Sequence, residues 1–153
     1  MREKINFDKA WYFHRGDLKQ KIPQYKSIAY ISAKTERYHY GPASKDYVFV
    51  VDKYKNDMEH KSERWDLVDL PHDYIIEGIP EEGENCALGF FKYDNAWYIK
   101  YFYLDEADRD RRITLLFEGV ATHATVYLNG ALMKHNFCGY NSFEVDITDL
   151  VKY

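Results

Sequence analysis

The dipeptide Asn129-Gly130, set between two runs of alternating apolar and polar residues, constrains this 153-residue chain more than any other feature. Both central residues of a type I′ turn take positive φ, which Asn and Gly tolerate, so the pair predicts a β-hairpin with a two-residue loop. Counted outward from that loop, Leu128 lies opposite Ala131, Val126 opposite Met133 and Ala124 opposite His135 on a mostly apolar face. Tyr127, Thr125 and His123 then face Leu132, Lys134 and Asn136 on the wetter side. Upstream, Ile113, Leu115 and Phe117 alternate with Thr114, Leu116 and Glu118, and downstream Phe143, Val145 and Ile147 alternate with Glu144 and Asp146. That period of two belongs to half-buried antiparallel strands. Four such strands in succession, between Arg112 and Ile147, predict an antiparallel β-sandwich or barrel. After them Thr148 to Val151 predict a short helical turn, capped by Asp146 or Thr148.

The length suits one domain, residues 1–153, with enough chain to bury a core without covalent staples. Aromatic residues make up 18% of the chain, which fits strands because rings pack well on a pleated surface. The 21 basic and 25 acidic residues give a net charge of −4, so neither a nucleic acid nor a membrane surface is an expected partner. Cys86 and Cys138 are too few for a secreted disulfide framework and lack metal-ligand spacing, so free thiols are expected. The charged start Met1-Arg2-Glu3-Lys4 has no apolar core, and the chain as written, without an export signal, is expected in the cytoplasm.

Along the chain, Ile5 to Phe13 predicts a first strand, broken at Gly16-Asp17. Residues 17–64 hold a short apolar run at Ile28 to Ile31, a turn at Gly41 to Ser44 and a strand at Tyr47 to Val51. Trp65 to Leu70 predicts a strand closed by Pro71, which has no N–H for a ladder. From His72 to Asn95 glycine, proline and acidic residues predict a long loop. Trp97 to Leu104 resumes a strand, apolar on both faces and therefore expected to be central, and Asp105 to Arg112 is an exposed charged turn. No helix of ten residues or more is indicated, which excludes Rossmann, barrel and bundle architectures for this chain by itself.

No G-x-S-x-G, H-E-x-x-H, phosphate-binding loop or cysteine-rich metal motif occurs, so the chain offers no catalytic residues, no metal site and no cofactor site. Among 25 carboxylates no spacing marks a catalytic pair. His72 and Asp73, adjacent on an extended segment, point to opposite faces and are expected to tie down the turn after Pro71 through side-chain to backbone hydrogen bonds. His123 and His135 flank the hairpin as solvated or hydrogen-bonded imidazoles, and Asn129 is a turn residue.

Four motifs carry a family resemblance: Phe7 to Phe13, Trp65 to Tyr74 (WDLVDLPHDY), Ala96 to Lys100 (AWYIK), and Phe117 to Thr148 with its FEGVATHATVYLNG and GYNSFEVDIT segments. In this order they resemble the N-terminal, galactose-binding-domain-like jelly roll of glycoside hydrolase family 2, the β-galactosidases, β-glucuronidases and β-mannosidases. The resemblance implies an all-β antiparallel sandwich that braces a catalytic (β/α)₈ barrel and edges its sugar pocket, with β-galactosidase as the parent activity. It also implies that residues 17–64 contain an insertion. Both catalytic glutamates of such enzymes sit on the barrel, so this chain by itself is expected to be inactive. The loop Gly78 to Asn95 corresponds to one that shapes the sugar site, and within it Asn85, Tyr93, Asp94 and Asn95 are the candidate substrate-binding residues, in company with Glu84 and Lys92. Partners implied are the barrel and, weakly, a β-galactoside or related glycan. The family's next strand does not follow Val151, which implies a fragment of a larger enzyme that can self-associate through an uncovered edge. Two other readings are a free-standing carbohydrate-binding module and an interaction sandwich that touches no sugar.

Overall fold

A computed structural model describes residues 2–17, 65–129, 131–151 and 153, and the described residues fall into two compact units, the first up to Lys100 and the second from Tyr101 onward. The expected insertion, apart from Asp17, lies outside the described residues, and so do the expected features at 28–31, 41–44 and 47–51.

In the first unit β1 (Trp11–Arg15) is the middle strand of an antiparallel sheet, between β2 (Asp66–Val68) and β3 (Ala96–Ile99). Its first strand starts later than the sequence implies. Residues 5–10 are irregular: the Asn6 side chain accepts the Asp8 N–H at 3.1 Å, Ala10 takes φ 58°, and Asp69 accepts the Ala10 N–H at 2.9 Å. Pairing runs Trp11 with Val68 on one side and Arg15 with Ala96 on the other. Among the described residues β3 is an edge of this sheet and β1 the central strand, which corrects the expected order. Both faces of β1 are accordingly covered, with Phe13 packed on the rings of His72, Tyr74 and Tyr98 at 4.6–5.5 Å and the buried His14 against Trp65 at 5.3 Å. The last rung is the Leu70 N–H donating to Asp8 O at 2.8 Å, and Pro71 ends pairing there.

In the second unit β4 (Thr114–Phe117) pairs antiparallel with β7 (Phe143–Asp146), and the hairpin β5 (Ala124–Leu128) with β6 (Ala131–Asn136) lies between them in sequence. The core follows the alternation read from sequence: Phe143, Val145 and Ile147 are buried with Leu128 and Leu150, and Leu115, Phe117, Val126 and Met133 pack against them. Phe117 and Phe143, directly paired, stack at 4.7 Å with their planes 8° apart. Each such side chain contributes about 1.5–3 kcal/mol when fully buried. Leu116, on the other parity, is 42% exposed.

The hairpin departs from a regular ladder. Leu128 faces Ala131 and Tyr127 faces Leu132, but Val126 pairs with Lys134, Thr125 with His135 and Ala124 with Asn136. A β-bulge leaves Met133 as an extra residue and inverts the parity beyond it. This corrects the expected pairing of Val126 with Met133 and of Ala124 with His135. The physical gain is plain: Met133 keeps its place on the core, while the polar His135 moves to the exposed face. Lys134 buries its stem and carries its ammonium to Glu144 O at 3.2 Å.

Beyond β7 the chain closes on itself through Thr148. Its hydroxyl donates to Asp146 Oδ1 at 2.6 Å and accepts the Ile113 N–H at 2.9 Å, and the Leu150 N–H returns to Ile147 O at 3.0 Å. Asn129, at φ 49°, is the expected turn residue. Cys86 and Cys138 are free thiols, and no described helix is long and apolar enough to cross a membrane.

Candidate functional site

The β1–β3 register sets the end of β1 beside the segment that leads into β3, because Arg15 pairs with Ala96. Three main-chain carbonyls of that segment are each held from elsewhere in the first unit. Arg15 Nη2 donates to Lys92 O at 2.9 Å, the Tyr74 hydroxyl donates to Asp94 O, and the Gly16 N–H donates to Asn95 O at 2.7 Å. Lys92 to Asn95 is thus pinned at three points rather than left as a free loop.

Side chains complete the cluster. Arg15 Nε lies 3.3 Å from Asp94 Oδ2, close enough for an ion pair although not aligned for a hydrogen bond, and Lys92 Nζ lies 3.9 Å from the same oxygen. The Arg15 guanidinium also sits over the Tyr74 ring at 5.6 Å. Asn95 Nδ2 donates to Asp17 Oδ1 at 2.6 Å. Burial, and then the neighbouring Tyr93, pushes the Tyr74 phenol above its ordinary value while Arg15 works in the opposite sense, so Tyr74 remains a donor at neutral pH. The Tyr93 ring is 43% exposed.

Of the candidates from sequence, Tyr93, Asp94 and Asn95 are consecutive in this pinned segment. Asn85 has a local duty: its side chain accepts the Ala87 N–H at 2.9 Å and caps the short 3₁₀ turn Cys86–Leu88, while its carbonyl accepts from Leu88 and Phe90. Arg15 and Tyr74 were missed. They stand 77 and 20 residues from the groups they hold, and only a known β1–β3 pairing signals the first.

Behind the cluster His72 joins loop to sheet. Its Nδ1 is 2.8 Å from the Tyr98 hydroxyl and its Nε2 3.5 Å from Glu77 Oε1, so its partners are side chains rather than the backbone groups expected. Asp73 does act as expected, accepting the Ile75 N–H at 3.0 Å. Burial raises the Tyr98 phenol to about 12, so Tyr98 stays protonated at neutral pH. Among the described residues no group of three or more His, Cys, Asp or Glu side chains could hold a metal ion.

The family described as glycosyl hydrolase 2, galactose-binding domain-like, matches residues 67–153. The chain belongs to that family. It is 33% identical over 106 residues to a β-galactosidase of Thermoanaerobacter pseudethanolicus, covering 67% of this chain and 13% of that protein. It is 27% identical over 109 residues to a β-glucuronidase of Formosa agariphila, covering 66% of this chain and 11% of that one. Its fold is similar to a β-glycosidase of Bacteroides vulgatus, with a TM-score of 0.69, 28% identity, and coverage of 99% of this chain and 16% of the other. The all-β, galactose-binding-like fold of family 2 is therefore this chain's fold, and the chain spans 11–16% of the length of these relatives.

Proposed function

We propose that this chain is the non-catalytic sugar-binding-like domain of a retaining family 2 glycoside hydrolase that acts on β-galactosides. It braces a catalytic barrel and presents Lys92 to Asn95 at the edge of the sugar pocket. The observation that carries this reading is the three-point pinning of that segment by Arg15, Tyr74 and Gly16. Such fixing matters because a polar group orients a sugar hydroxyl only if its own position is already determined. A β-galactosidase matched at 33% identity over 106 residues supports the galactoside, a β-glucuronidase of Bacteroides fragilis being equally identical over a shorter 86 residues. The bond chemistry belongs to two carboxyl groups about 5–5.5 Å apart on the barrel.

The test is direct. The 153-residue chain should not hydrolyse a nitrophenyl β-galactoside, and galactose should bind no tighter than roughly millimolar, about −4 kcal/mol. Turnover by the rigorously purified chain would overturn the assignment. Micromolar affinity would make it a free-standing carbohydrate-binding module instead.

A further inference from the structure

The exposed face of the β5–β6 hairpin carries a group of rings that the reading above leaves unused. Thr125 and His135 are paired across the strands and Ala124 with Asn136 after them, so two residues outward, just past the last pair, His123 and Phe137 come to the same face, to which the bulge has turned His135. The rings adjoin: His123 meets Phe137 edge to face at 5.5 Å between centroids, and His135 lies nearly parallel to Phe137 at 6.0 Å, 23° apart. Thr125 Oγ1 is 3.0 Å from His135 Nδ1 and fixes that imidazole. Phe137 still exposes 72% of its surface, so the imidazoles border the ring rather than cover it.

A single exposed apolar side chain needs no explanation. Three adjoining rings, one oriented by a hydroxyl and set on β6 and the other two just beyond the ends of β5 and β6, form a more specific surface. It offers an apolar ring face with polar nitrogens around it and carries no carboxylate or ammonium among its members. A pyranose has the complementary form: one face of C–H groups and a rim of hydroxyls. In a β-galactoside the axial 4-hydroxyl leaves C3–H, C4–H and C5–H together on one face. His135, with Nδ1 taken by Thr125, retains Nε2 for a hydroxyl, and either imidazole nitrogen can serve as donor or acceptor according to tautomer.

We infer that Phe137, His123, His135 and Thr125 form a sugar-stacking platform on the hairpin, taking the apolar face of a neutral pyranose on Phe137 and its hydroxyls on the two imidazoles. It lies in the second unit and stands apart from the reading of Lys92 to Asn95 in the first.

Methyl β-D-galactopyranoside, titrated into the 153-residue chain to roughly 50 mM, tests it by NMR at the weak affinities expected of one stacked ring. The imidazole C–H resonances of His123 and His135 should shift, and saturation transfer to the sugar should be strongest at H3, H4 and H5. Phe137→Ala should remove the imidazole shifts at an unchanged melting temperature, and Phe137→Trp should retain them. Unmoved imidazoles at the top of the titration, or full shifts in Phe137→Ala, overturn the platform. Shifts confined to the backbone amides of Tyr93 to Asn95 also overturn it while supporting the proposed function, and shifts confined to the two imidazoles do the reverse.

Discussion

Asn129 donates its side-chain amide to the main-chain carbonyl of Leu150 at 2.8 Å, so one residue both makes the hairpin turn and ties the last turn of the chain to it. At φ 49° Asn129 occupies a backbone region that asparagine tolerates and alanine does not favour. Asn129→Gly removes the hydrogen bond and keeps the turn, so it should cost about 0.5–1.5 kcal/mol. Asn129→Ala removes the hydrogen bond and strains the turn, adding about 1–2 kcal/mol. Denaturant melts of both variants check this order, and equal stabilities would show that the φ requirement carries no weight.

The parity of the second unit's strands predicts a sharp contrast. Ile147, 1% exposed, should cost about 2–5 kcal/mol on truncation to Ala and about 0.5–1.5 kcal/mol on truncation to Val. Leu116→Ala, at a site 42% exposed, should stay within about 1 kcal/mol of the parent. Thermal unfolding distinguishes the two faces.

Acid should weaken the same unit through Asp146. Hydrogen bonds from the Thr148 side chain and N–H, then from Arg112, hold its carboxyl at about 2 against an ordinary 3.8. The depressed value means that its contribution is complete above about 3.8 and is lost as pH falls toward about 2. Because Asp146 is half exposed, solvent screening keeps the effect modest. Asp146→Asn should flatten the acid limb of a stability–pH curve and leave its slope near neutrality unchanged.

Tyr98→Phe should destabilise the first unit by about 1–3 kcal/mol, because the buried face of His72 then loses its phenol partner. The effect should appear also in hydrogen exchange of Asp73 to Gly78, since His72 joins Tyr98 to Glu77. Unchanged protection there would place the anchoring of this loop elsewhere.

At the candidate site Arg15→Met removes the donor to Lys92 O, the charge beside Asp94 and the guanidinium over Tyr74 while keeping an unbranched side chain of similar reach. Weak galactose binding at this segment should fall at least about threefold, and Tyr93 should gain mobility in relaxation measurements. Undiminished binding and an unchanged Tyr93 would dissociate the pinning from sugar recognition.

What the sequence determined by itself was local and periodic. Alternation from Ile113 to Phe117 and from Phe143 to Ile147 placed the core residues, because a strand's side chains must alternate across its sheet. Asn129-Gly130 fixed the hairpin through its demand for positive φ, and motif order fixed the family. Tyr93, Asp94 and Asn95 were legible as a polar, ring-bearing end of a long loop. Only the tertiary structure decided the rest, since it depended on pairings between distant segments. The bulge at Met133 arose because the core claimed that side chain, and the alternation beyond it inverted to send His135 outward to Thr125 and Phe137. β1 became the middle strand because Asp66 to Val68 and Ala96 to Ile99 both paired with it. Arg15 reached the carbonyl of Lys92 only through that pairing, across 77 residues of chain, and no periodicity within either segment could announce it.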